Sequence, residues 1–111
     1  MREFGDDEMR SVIAGSQPYS VVILKAGPNY GAADAPDVIW EHGRRNLGLR
    51  DAGTLAVVLP VTDESGVCGI GVFNAGVAET EAIMADDPGV LAGVFTFDVH
   101  PCRGFPGDHL P

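Results

Sequence analysis

The sequence is short of cysteine, short of basic residues and free of any long apolar run, and each shortage excludes something. Its only cysteines, Cys68 and Cys102, show no CxxC spacing, and a chain with a core of its own needs no disulfide staple, so both read as buried free thiols. Seven basic residues against 16 acidic ones leave a formal charge of -9. Nucleic acid and anionic membrane surfaces would be repelled by such a protein. No segment approaches the roughly 20 apolar residues of a membrane span. Asp6, Asp7 and Glu8 stand where a secretion signal would carry a basic stretch and then an apolar one. A soluble, cytoplasmic protein is expected, with a small organic molecule as its natural ligand. Neither a nucleotide fingerprint nor a GxSxG nucleophile is present, and the glycines from Gly66 to Gly71 open no helix, so they form no phosphate cradle.

What is present is enough apolar material for one core. With 111 residues and 45% hydrophobic content, one domain is expected. Residues 1–18 are polar and acidic with a weak apolar patch at Val12 and Ile13, and read as an arm outside the core that can form a helical turn. From Tyr19 to Lys25 a β-branched run ends on Gly27-Pro28-Asn29, which marks a strand and a turn. A helix is predicted from about Pro36 to Asp51, with Asp34 as its cap, Pro36 in its first turn and Gly53 beyond its end. Leu55–Val61 and Val67–Phe73 are apolar runs either side of Asp63-Glu64-Ser65-Gly66, a hairpin. Ala78–Ala85 reads as a short second helix stopped by Pro88. Val94–Pro101 alternates, with Phe95, Phe97 and Val99 on one face and Thr96, Asp98 and His100 on the other.

The order βαββαβ predicts an α+β domain of ferredoxin-like topology over residues 19–102: a four-stranded antiparallel sheet with two helices on one face. Val21–Leu24 and Leu55–Leu59 are apolar without alternation, as in strands buried on both faces. Two helices cover only one face, so a second copy of the sheet is expected over the other, making a homodimer. The tail, residues 103–111, is too rich in Pro and Gly to be helical and is expected to act as a strap held by Phe105 and Leu110.

Several pieces of this pattern resemble the YCII-related family: the first strand followed by Ala26-Gly27-Pro28, the helical Glu41-His42, Ala52-Gly53-Thr54-Leu55, and above all Asp86-Asp87-Pro88-Gly89-Val90-Leu91-Ala92-Gly93. The resemblance runs from about Tyr19 to Pro101. It implies a dimeric α+β barrel and a His-Asp pair as the proposed active site, which falls on His42 and Asp87. The few members of the family with an assigned activity act on small ring compounds by elimination, and related barrels include isomerases and monooxygenases that need no cofactor. One departure is Leu59-Pro60, where the family usually has Gly-Pro; it is expected to reshape the mouth of the pocket.

Read residue by residue, His42 shares a helical face with Val38 and Leu49 and so points toward the sheet. An imidazole in a partly dry cleft can move a proton, and a carboxylate on its other nitrogen, here Asp87, fixes its tautomer. The alternative is a structural His-Asp bond that satisfies two buried polar groups. Asp87 before Pro88 can equally cap the segment that follows it. Asn46 and Arg45, one turn beyond His42, are candidates to hold a substrate oxygen, although Arg45 can instead run to the surface and pair with an acid. Tyr30, in the loop after the first strand, is a candidate wall of the cleft. Trp40 and Leu47 lie opposite Val38 and call for a second apolar contact, with the arm or with a partner. His100 and Cys102 share a strand face, but no further ligands stand at diagnostic spacing, so no metal is expected. The function expected is a cofactor-free lyase or isomerase working on a small, cyclic substrate through His42 and Asp87. The alternatives are a non-catalytic ligand-binding or accessory dimer, and a purely structural domain.

Overall fold

A computed structural model covers residues 1–111. The elements run α1 (Asp6–Ala14), β1 (Gln17–Ala26), α2 (Ala35–Asp51), β2 (Leu55–Pro60), β3 (Val67–Phe73), α3 (Val77–Ala85), α4 (Pro88–Leu91) and β4 (Phe95–Gly104). The four strands form one antiparallel sheet in the order β2-β3-β1-β4. No helix is long and apolar enough to cross a membrane.

Alternation decides which side chains meet the helices. The register pairs Val22 with Val99 and Leu24 with Phe97, while Ser20 pairs with Phe73. These residues face α2 and α3, and Val22, Leu24, Leu55, Phe73 and Phe95 join Ala35, Met84 and Val94 in the core. The opposite face carries Val21 beside Val72 and Ile23 beside Ile70. All four are half-buried, and none belongs to the core cluster. Toward β4 that face turns polar and exposed through Thr96, Asp98 and His100, as the alternation predicts. Lys25 holds Asp98 at 2.8 Å, and its hydrogen bond, then its charge, lowers the Asp98 carboxyl pKa below the ordinary value.

Several boundaries differ from the sequence reading. The arm is a nine-residue helix ending at Ala14, and β1 begins at Gln17, before Tyr19. The final strand runs on to Gly104, taking two residues assigned to the tail. Arg103 explains both extensions, since its guanidinium donates to the Ser16 hydroxyl at 2.8 Å and to the Ser16 carbonyl at 2.7 Å. Gly104 lies under the Tyr19 ring, where an added Cβ would come within 3.0 Å of the ring. The two expected helices are joined by α1 and by α4, which restarts at Pro88 after α3 ends. Asp34 does not cap α2: its backbone is already helical, with φ -89° and ψ -3°, and its side chain makes no cap bond. Cys68 and Cys102 are free but half-buried, not buried, since each lies near the end of a strand.

Thr80 of α3 is fully buried and its hydroxyl has no hydrogen-bond partner. An unsatisfied buried hydroxyl costs on the order of 1–3 kcal/mol. Thr80→Val, which keeps the shape and removes the orphan, is expected to stabilise the fold by about 1 kcal/mol and raise the melting temperature by a few degrees. A lower melting temperature in a thermal scan would show that the hydroxyl is satisfied in solution.

Candidate active site

The site is assembled where α2 meets the start of α4. Asp87 is extended, as a residue before proline prefers, with φ -66° and ψ 133°. From there its Oδ2 accepts the backbone N–H of Gly89 at 2.9 Å and of Val90 at 3.3 Å, capping α4. Gly89 has to be small: a Cβ would lie 2.5 Å from the Phe95 ring and 3.0 Å from Asp87 Oδ2. The same carboxylate faces His42 of α2, whose Nδ1 is 2.8 Å from Oδ1 and 2.9 Å from Oδ2. Asp87 thus serves as cap and as partner of the histidine at once. It has no solvent exposure, and His42 keeps only 11% of its side chain exposed.

The direction of the bond follows from the partners. Asp87 accepts from two backbone amides and has the Arg45 Nη1 at 3.8 Å, so its oxygens act as acceptors and His42 Nδ1 is the donor. The second ring nitrogen, Nε2, then carries a lone pair. Asn46 Nδ2 lies 3.1 Å from it and donates to it. The imidazole also rests against Phe95, with ring centroids 4.8 Å apart.

His42 and Asn46 form one wall of a cleft of about 580 Å³ between α2 and the sheet. Its floor includes Leu24, Val58, Gly69 and Gly71, and any side chain at either glycine would stand in this space. Trp40, Leu47, Leu59 and Pro60, all exposed, form the rim. Besides His42 and Asn46, Arg44 is the charged or amide side chain on the lining.

No protein-family model and no curated protein matches this chain.

The residues singled out in the sequence separate into two groups. His42, Asp87 and Asn46 come together as expected. Arg45, expected to hold a substrate oxygen, turns to Asp87 and does not line the cleft. Arg45 comes three residues after His42 and Asn46 four residues after it, so the two side chains flank the imidazole on opposite sides. Neither does Arg45 reach a surface acid: its Nη1 is buried and makes no hydrogen bond. Tyr30 also stays out of the cleft, packing on Phe95 at 6.1 Å with 47% exposure. Phe95 and the Gly69/Gly71 pair were not anticipated as parts of the site. Both lay on inward faces of alternating strands, which was the available signal. His100 and Cys102 lie on β4, and no group of three or more His, Cys, Asp or Glu side chains is gathered there.

Removing the Asp87 carboxylate takes away the cap, the acceptor for His42 and the only anion near Arg45 together. Breaking a buried charged pair costs roughly 3–5 kcal/mol. Asp87→Ala is expected to lose stability in that range by chemical denaturation, and Asp87→Asn, which keeps one accepting oxygen, to lose clearly less. Equal, small losses for both would mean that the carboxylate contributes little to the fold.

Proposed function

We propose that this protein is a small enzyme of lyase or isomerase type that moves a proton on a small, mainly apolar, cyclic substrate, with His42 Nε2 as the base. The observation that carries this reading is the two-sided state of His42. A fully buried carboxylate orients Nδ1, while Nε2 faces a cleft large enough for an organic molecule. That arrangement keeps one tautomer and leaves the basic nitrogen toward a bound molecule.

The chemistry balances on groups of the chain itself and calls on no cofactor. Nε2 takes a proton from a carbon beside an electron-withdrawing group, and the electron pair left behind moves into that group. The pair then either accepts a proton back at a different carbon, which is isomerisation, or expels a neighbouring substituent, which is elimination. Asp87 stabilises the imidazolium formed in between, and Asn46 can turn its amide oxygen to the new Nε2–H. The apolar floor fits the body of the substrate, and Asn46 an oxygen on it.

Membership of the YCII-related family belongs to the same proposal, supported by the contact between His42 and Asp87, as does a ferredoxin-like sheet paired face to face in a homodimer. Support for the dimer comes from Val21, Ile23, Ile70 and Val72, an apolar patch outside the core of the single chain. Light scattering at micromolar concentration is expected to give twice the chain mass, and a monomer would refute the pairing. A second reading, ligand binding without turnover, is favoured by one contact: Asn46 already satisfies Nε2.

His42→Gln separates the two. Solvent-deuterium incorporation into a panel of small cyclic ketones and lactones, followed by NMR, is expected for the native protein and to fall by about 10²–10⁴-fold in the variant. Binding of the same compounds should survive. Exchange or turnover that persists in His42→Gln would end the acid-base role.

A further inference from the structure

Arg45 carries a charge that the proton-transfer reading above does not use, and its position is unusual for an arginine of this chain. With 16 acidic residues in the sequence, a surface arginine has partners in plenty, and the neighbouring Arg44 takes one of them, Glu41, at 3.1 Å. Arg45 turns inward instead. Its Nη1 is buried without a hydrogen bond, 3.8 Å from Asp87 Oδ1, and its side chain is only 28% exposed. That separation is too long for a hydrogen bond, so the contact is one between charges.

Asp87 does not need Arg45 as a donor. Its Oδ2 accepts from the amides of Gly89 and Val90, and both of its oxygens lie within 2.9 Å of His42 Nδ1. What Arg45 adds is charge, and the site of that charge bears on the imidazole. While His42 is neutral, the carboxylate and the guanidinium offset each other. A proton on His42 leaves the buried cluster with one uncompensated positive charge, which surroundings of low dielectric oppose. Without the guanidinium the preference reverses: a lone buried carboxylate draws a proton onto the imidazole, because the pair is then neutral overall.

The other charged or titratable groups around His42 are few. Arg44 lines the cleft from α2 and is engaged by Glu41, and Cys68 lines it from β3. Tyr30 packs on the far partner of the imidazole, Phe95 of β4. Asp86, beside Asp87 at the end of α3, is exposed. None of them pairs with His42 or Asp87, so Arg45 is the cation that answers Asp87.

We propose that Arg45 is a positioning residue that acts through Asp87 to keep His42 Nε2 unprotonated at neutral pH, and so ready to take a proton. The proposal rests on the reading of His42 as a base. Arg45 itself touches no part of the cleft. Asp87 fixes the tautomer and Arg45 limits how far the same carboxylate stabilises the imidazolium, which lets the proton leave again.

The test follows the His42 ring signals against pH in the full chain labelled with ¹⁵N-histidine, without substrate, assigned with a His42→Gln reference. His100 and His109 are exposed and lie outside the cluster, so they serve as internal standards. Arg45→Met keeps an unbranched stem and removes the charge. It is expected to move the midpoint of the His42 titration upward by roughly one pH unit, so that His42 holds its proton at a pH where the native residue has lost it. Arg45→Gln, also neutral, should do the same and carries the test if the Met variant fails to fold, while Arg45→Lys should restore a midpoint close to the native one. A merely structural arginine would lower the melting temperature in these variants and leave the midpoint where it was. That result, or a midpoint that falls in the neutral variants, would overturn the proposal. Because no substrate is present, such a failure would leave the base reading of His42 standing, and deuterium exchange in His42→Gln decides that reading by itself.

Discussion

The hydrogen bond from His42 to Asp87 is the contact on which the rest of this structure depends. Asp87 is a carboxylate with no solvent exposure, and burying it would be prohibitive without donors on every side. The chain supplies them from two places distant in sequence: the amides of Gly89 and Val90 at the start of α4, and the imidazole of α2, with the Arg45 guanidinium adding its charge at 3.8 Å. Satisfying one carboxylate therefore fixes the distance between α2 and α4, and with it the position of Phe95, whose ring fills the space that a Gly89 side chain would need. A polar requirement sets the packing of the helical layer as firmly as the apolar core does.

That contact also divides the surroundings of His42 into a closed half and an open half. On the closed side lie Asp87, Arg45 and the ring of Phe95, which leave Nδ1 no choice of partner. On the open side Nε2 meets Asn46 and a cleft whose floor is largely aliphatic and glycine. An imidazole held this way is ordered without being shut off, which is the condition for a proton-transfer group and also for a ligand-anchoring one.

Much of this was legible in the sequence where local chemistry and tertiary packing agree. The bounds of α2 and β3 follow from Pro36, Gly53 and the turn at Asp63–Gly66, and the two faces of β4 follow from alternation alone. His42 pointed inward because Val38 and Leu49 share its face. One misreading is local: Asp34 looked like a cap, but its own backbone is already helical. The others come from long-range contacts. The length of β4 depends on Arg103 reaching back to Ser16, 87 positions away. Arg45 and Asn46 are adjacent in sequence and equally polar, and only the location of Asp87 decides which one faces the cleft. Phe95 could be placed inward by its period, but nothing in the sequence put it against His42.

The role of His42 turns on which of its ring nitrogens carries the proton. Long-range ¹⁵N–¹H correlation spectra of the ¹⁵N-histidine-labelled protein, assigned with a His42→Gln reference, read this directly at neutral pH. The expected result is the Nδ1–H tautomer, with a lone pair on Nε2, and a change of the Nδ1 signal in Asp87→Asn. An Nε2–H tautomer, or an Nδ1 signal indifferent to Asp87, would contradict it.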